Sequence, residues 1–387
     1  MTALEVYAWA TGGAEKDAVD ALAGEFARTV PGRQVVNPVL AGGPDPEGDL
    51  RSRLRAGDPP DSFQVHPGAE AQNLVASGAL VALDECFARW GLDDVLPAGL
   101  RDGLAVGGAV HAVPAGLHRL LLWSNDGVLA RAGLTARPAD VDDLVRQLEV
   151  LRASGVRYPL ALGPDWTQLE LLEAVLLARL GPDRFAALWT AGADWSGDDV
   201  ADALAAYGRL LPYANPDRDG LSFPDAAARV RTGAAGYLFT GDWVRALWAG
   251  DRSWSWSGRP FPGTAGTFQW LGDAFVLPEN APDVDGALAW LATVAGAPGQ
   301  QAFNTRKGSI PVRADADRAD HSPYLRAAMA DLEHLQLVPS CTHGSAAGRA
   351  VTSAALTAVG AFSSTGDVGD LRSALAATTD EPRRERV

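Results

Sequence analysis

The sequence predicts an α/β protein of two lobes, and three observations carry that expectation. First, Leu4 to Trp9 alternates as a strand, Val19, Leu22, Ala23, Phe26 and Val30 recur at helical spacing, and Gln34 to Val39 reads as a second strand. Such a β-α-β opening calls for a largely parallel sheet. Second, 387 residues are too many for one compact core and right for two of ordinary size. Third, an extended run passes through Ala115-Gly116 with no helix between, which makes that point a strand-like crossing between lobes.

Each element follows in order. Pro31-Gly32 stops the helix that runs from Ala14 to Val30. The glycine turn Ala41-Gly42-Gly43-Pro44 leads into a helix from Glu47 to Ala56, and Pro59-Pro60-Asp61-Ser62-Phe63-Gln64-Val65-His66 contains a short strand that ends at Pro67-Gly68. A further helix reaches about Ser77, and two extended runs, Ala109 to Pro114 and Leu117 to Asn125, meet at the crossing. Residues 125–260 look mostly helical, punctuated by Pro138, Pro164, Pro182 and Gly197. A strand at 234–242 returns from that region, the tract Trp254 to Gly263 reads as a loop, and Phe268 to Leu277 is a strand that re-enters the first lobe. Helices fill Pro282 to Ala295, Pro298 to about Asn304, and about Pro323 to Ala376, ahead of a charged tail. The expected division is therefore 1–115 with 268–320, and 116–267 with 321–387, the second lobe being mostly helical.

Composition excludes several function classes. A net charge of −15 leaves no basic face for nucleic acid. No apolar run reaches the roughly 18 residues of a membrane span. Met1 is followed almost at once by the first strand, so the expectation is either a cytoplasmic protein or one whose leader is missing from this sequence. Cys86 and Cys341 permit one disulfide at most. The chain carries no Gly-Lys-Ser/Thr phosphate loop, dinucleotide glycine fingerprint, Gly-x-Ser-x-Gly elbow, His-Glu-x-x-His or Cys-x-x-Cys. Its six histidines are dispersed at 66, 111, 118, 321, 334 and 343, so neither a metal nor a cofactor is expected.

The chain is organised around Ala234-Ala235-Gly236-Tyr237-Leu238-Phe239-Thr240-Gly241-Asp242-Trp243, a buried strand that stops on glycine and presents a carboxylate beside an indole. Strand ends that open into turns are where α/β proteins place ligands. Trp9, Gln64, His66, His118, Asp273 and His343 occupy similar strand ends or glycine turns, and each alone also fits a core, loop or capping role. Lys307 joins them because the chain keeps only two lysines, Lys16 and Lys307, among its 33 basic residues. As a set they supply rings for C–H faces and charged or bifunctional groups for hydroxyls. Asp242 and Asp273 equally admit a glycosidase acid and base.

These residues stand in an order of motifs that reads Tyr7-Ala8-Trp9-Ala10-Thr11-Gly12, Ala41-Gly42-Gly43, Gly57-Asp58-Pro59-Pro60-Asp61 to Gly68, and Val113-Pro114 to His118-Arg119. It continues with Leu160 to Gly163, Trp166-Thr167-Gln168, Gly241-Asp242-Trp243, Gly272-Asp273-Ala274-Phe275, Lys307-Gly308-Ser309-Ile310 and His343-Gly344. In that order the chain resembles the extracellular solute-binding proteins of carbohydrate ABC transporters, family 1, and most closely the glucose- or mannose-binding branch. The resemblance implies a two-lobe, type II periplasmic-binding-protein-like clamshell that closes on a sugar, with its site on Trp9, Gln64, His66, His118, Trp243, Asp273, Lys307 and His343. It implies that Trp9 and Trp243 stack on a pyranose while Asp273 accepts from and Lys307 donates to its hydroxyls. Two departures stand out. The branch usually carries Trp-Trp where this chain has Trp9-Ala10, and Trp where it has Phe223, which softens one wall and admits a larger or modified sugar.

The resulting expectation is a non-enzymatic, extracellular, lipid-anchored sugar receptor with ligand contacts at Trp9, Gln64, His66, His118, Phe223, Asp242, Trp243, Asp273, Lys307 and His343. It would be a monomer that works with ABC permease subunits. The competing expectations are a glycosidase and a ligand-free sensor or interaction protein on the same fold. A cleft carboxylate lies outside the core, so Asp273→Ala is expected to abolish binding and leave the fold intact.

Overall fold

The computed structural model describes residues 2–9, 12–41, 46–97, 99–319 and 321–379. The turn residues Gly42, Gly43 and Pro44, together with Ala10, Thr11 and the tail beyond Thr379, lie outside the described residues. The chain forms two compact units. The first draws on Met1–His118 and Trp270–Leu337, the second on Arg119–Gln269 and Val338–Arg383.

In the first unit, the opening strand Thr2–Tyr7 pairs in parallel with Arg33–Val36 on one edge and with Ser62–Val65 on the other. The strand Thr267–Val276 then joins Ser62–Val65 antiparallel, so the sheet that the β-α-β opening makes largely parallel also carries an antiparallel strand. Helix Gly13–Thr29 buries Ala18, Val19, Leu22 and Phe26, the stripe its spacing dictates. Phe26 meets Trp290 of helix Val284–Ala295 edge-on at 5.9 Å, and Trp290 meets Phe275 at 5.2 Å. Within Gly-Asp-Pro-Pro-Asp, Asp61 is structural: its carboxylate accepts from the amides of Glu5 and Asp283, both at 2.8 Å. Helix Pro323–His334 belongs to this unit, since the chain enters the second one at Val338.

The second unit is built on Ala235–Gly241, which is buried at every position and pairs in parallel with Tyr158–Ala161. On its other edge it pairs antiparallel with residues 120–124 of the long strand Ala112–Asn125. That strand pairs in turn with Trp256–Arg259, so the tract expected to be a loop contributes a strand. Trp254 and Ser255 precede that strand, and Trp256, its first residue, packs at 5.6 Å on Trp123 and 5.7 Å on Trp248. Helix Asp165–Ala187 is buried without a break from Thr167 to Leu177. It bends at Gly181, whose φ of 75° precedes Pro182.

Cys86 lies in the first unit and Cys341 in the second, and both thiols are buried and free. Burial pushes the Cys86 thiol up, and burial followed by the Glu173 charge pushes Cys341 well up. Neither is therefore a ready thiolate at neutral pH. Iodoacetamide is expected to leave the native protein unmodified over minutes and to label both cysteines once denaturant is added. Rapid native labelling of either one would contradict the burial described.

Candidate functional site

Six of the ten residues singled out from sequence lie in the first unit, and four of these meet at one carboxylate or beside it. Asp273 is only 2 % exposed; Gln64 Nε2 donates to its Oδ1 at 2.6 Å and Lys307 Nζ to its Oδ2 at 2.5 Å. Burial pushes the Asp273 carboxyl up. The Lys307 ammonium, His66 and His118 outweigh that and hold it below the usual carboxylate range. Gly272 is required here, because a Cβ on it would lie 2.6 Å from Leu117 Cδ2 and 3.0 Å from the Gly116 carbonyl. His66 Nδ1 lies 2.9 Å from the Gly272 carbonyl, an acceptor only, so Nδ1 carries the hydrogen. The half-buried Trp9 ring lies 4.9 Å from that of His66. His118 is buried at the end of this unit's share of its strand.

Lys307 owes its place to a helix end. It is the last residue of Ala297–Lys307, where a cation is favoured by the dipole, and Gly308 follows in the left-handed region at φ 76°. Ser309 Oγ then donates to Asn304 Oδ1 at 2.6 Å, and Ile310 exchanges backbone hydrogen bonds with Leu117 at 2.7 and 2.9 Å. The motif Lys-Gly-Ser-Ile thus ends a helix, turns the chain and fixes it beside the strand that carries His118.

The other four residues lie in the second unit, and three of them, Phe223, Trp243 and His343, form an aromatic wall with Trp166, which the sequence reading left out of the site. Trp166 lies 5.1 Å from Phe223, 6.2 Å from Trp243 and 5.9 Å from His343, and Trp243 lies 5.4 Å from His343. All four rings keep part of their surface exposed. Asp242 is 1 % exposed; its amide donates to the Arg119 carbonyl at 3.0 Å. A Cβ on Gly241 would sit 1.8 Å from the Trp243 ring, so only glycine lets the indole fold back over the strand end.

Behind the wall stand two buried glutamates of helix Asp165–Ala187. Glu170 Oε1 lies 2.9 Å from His343 Nε2, and Glu170 itself is fully buried. Burial pushes its carboxyl well up. The Thr240 hydroxyl pulls the other way, although neither Thr240 Oγ1 nor Glu170 Oε2 has a partner in hydrogen-bond geometry. Glu173 accepts from the amides of Cys341 (2.9 Å) and Thr342 (2.6 Å), the hydroxyls of Thr342 and Ser340, and Gln269 Nε2. Burial raises its carboxyl too, but these donors and the charge of His343 offset part of that.

The first cluster therefore presents an ionised acceptor, an ammonium and amide donor, and a half-buried ring pair. Gln64 Oε1 adds a buried acceptor with no partner among the described residues. The second presents four rings, one of them an imidazole. Among the described residues no group of three or more histidine, cysteine or acidic side chains could hold a metal ion, and no helix is long and apolar enough to cross a membrane.

Residues 12–301 match the family described as bacterial extracellular solute-binding protein. The chain belongs to that family. Among its relatives is an uncharacterized ABC transporter extracellular-binding protein of Pyrococcus horikoshii, 30% identical over 355 residues, which are 89% of this chain and 79% of that protein. The xylose/arabinose-binding protein XacG of Haloferax volcanii is 30% identical over 319 residues, 80% of this chain and 69% of the relative. Among solved structures, a chitin oligosaccharide binding protein superposes with a TM-score of 0.82 at 20% identity over 98% of each chain. That similarity shows that this chain has the solute-binding-protein fold.

Proposed function

We propose that this solute-binding protein is the non-enzymatic, extracellular sugar receptor of an ABC importer. In this reading its two units are lobes that close on one pyranose-containing ligand and present it to the permease. The observation that carries the reading is the buried Asp273–Lys307 pair with Gln64, set beside Trp9 and His66. A charge-assisted acceptor and donor side by side match vicinal hydroxyls, and ring faces match the C–H surface of a pyranose. Relatives whose names specify pentoses or chitin oligosaccharides support a sugar as the ligand class. Within that class a glucose-like hexose is the first candidate, on the strength of the motifs shared with the glucose- or mannose-binding branch. Phe223, in place of a Trp of that branch, packs on Trp166 and offers no indole N–H, which favours a larger or modified sugar on that wall.

The glycosidase alternative fares worse. Asp273 has both oxygens engaged and its proton affinity lowered, whereas a general acid needs a raised one. Calorimetric titration with hexoses, pentoses and disaccharides tests the proposal. One sugar should saturate at one per chain and be recovered unchanged, and a micromolar dissociation constant corresponds to about 8 kcal/mol. Silence across the panel would favour a ligand-free sensor whose rings serve only each other, and released product would favour the glycosidase. In the same assay Trp9→Ala is expected to weaken binding about tenfold, the loss of one stacking face.

A further inference from the structure

We infer that Glu170 is a positioning residue for His343: the two share one proton across Glu170 Oε1 and His343 Nε2, and this makes His343 Nδ1 a fixed N–H donor. The inference deepens the sugar-receptor reading, because His343 stands in the aromatic wall with Trp166 and Trp243.

Three proton arrangements are open to the pair. A protonated Glu170 donating to a neutral imidazole leaves the hydrogen on Nδ1. An imidazolium donating to a carboxylate also leaves Nδ1 protonated. Only a carboxylate facing a neutral Nε2–H ring would make Nδ1 an acceptor, and that form puts a net negative charge in the interior. Glu170 is fully buried, and for its second oxygen Oε2 the Thr240 hydroxyl, outside hydrogen-bond geometry, offsets only part of the cost that burial puts on such a charge. Glu173, one turn along the same helix, already accepts five hydrogen bonds in the manner of a carboxylate, so a second anion beside it is further disfavoured. The burial that raises the Glu170 carboxyl acts in the same sense. Trp166 begins the exposed end of this helix four residues before Glu170, so one helix face sets both the ring that packs on His343 and the acid that orients it.

A fixed tautomer and a fixed ring orientation set the face that the imidazole adds to the wall of Trp166 and Trp243. The direct test is nitrogen-15 NMR of the imidazoles of the full chain, with His343 assigned by the signal lost in His343→Gln. Nδ1 of His343 is expected to show the protonated shift at pH 7, and Glu170→Ala should move the ring toward the Nε2–H form that free imidazoles prefer. An unprotonated Nδ1 in the wild-type chain overturns the inference. So does a Glu170→Ala ring that keeps its Nδ1 hydrogen. This readout needs no sugar, so it stands apart from the receptor reading. Where D-glucose or another panel sugar binds, Glu170→Ala should weaken it tenfold or more, with Glu170→Gln as the isosteric fold control. Unchanged affinity for such a sugar in a folded Glu170→Ala protein also counts against the inference.

Discussion

Lys307→Met is expected to abolish sugar binding and to destabilise the protein by about 3–5 kcal/mol, the usual cost of leaving one partner of a buried ion pair alone. Asp273 and Lys307 have side chains 3% and 8% exposed, so neither charge is screened by solvent when its partner goes. The pH dependence gives the loss a signature. In the native protein the Asp273 carboxyl sits below its ordinary range, so its contribution is present above the unfolded value of about 3.9 and is lost only as pH falls through the lower folded value. In Lys307→Met the burial that opposes ionisation acts with its main counterweight removed, so the carboxyl rises and takes up its proton at milder pH. The deficit should therefore be largest near pH 7 and shrink as pH falls toward 4.5. Denaturant unfolding at both pH values checks this, and an equal deficit at the two would sink the account. The double variant Asp273→Leu/Lys307→Met should regain stability while still failing to bind.

The same pair corrects an expectation drawn from the sequence. Asp273→Ala was expected to leave the fold intact, as befits a cleft carboxylate. The carboxylate is buried, and among the described residues removing it leaves Lys307 with Glu15, at 3.8 Å, as its one acidic partner, beside the Phe303 ring. Asp273→Ala should thus lose stability along with binding, and Asp273→Asn is the milder probe.

What the sequence disclosed followed its local signals. The strand Ser62–Val65 between Pro59-Pro60 and Pro67-Gly68, the helix stop before Pro31-Gly32 and the strand end at Gly241 are all set by residues within a few positions, and each was readable there. Trp166 and Glu170 were not readable as site residues. Helix Asp165–Ala187 is buried on all sides from Thr167 to Leu177, so Glu170 and Glu173, spaced three apart among leucines, mimic the solvent face of an amphipathic helix. Their partners at 340–343 lie some 170 positions further on, and no local pattern announces them. The Trp254–Gly263 tract misled for the opposite reason: Ser and Gly suggested a loop, while pairing with residues 122–125 makes 256–259 a strand.

Glu173→Ala is expected to be strongly damaging to the second unit, at about 4 kcal/mol or more. Two backbone N–H donors, at Cys341 and Thr342, would lose their acceptor in the interior, along with the Thr342 and Ser340 hydroxyls and the Gln269 amide. Each stranded donor costs about 1–3 kcal/mol, less whatever local rearrangement recovers. Glu173→Gln keeps one acceptor oxygen and should cost less than half as much. Because His343 is the next residue after Thr342, loosening this anchor also frees the imidazole from Trp166, Trp243 and Glu170. The variant should accordingly show faster hydrogen exchange at the Cys341 and Thr342 amides and weaker sugar binding, even at temperatures where it remains folded. A Glu173→Ala protein within 1 kcal/mol of wild type, with those amides still protected, would mean that the 340–343 segment is held by its packing and not by this carboxylate.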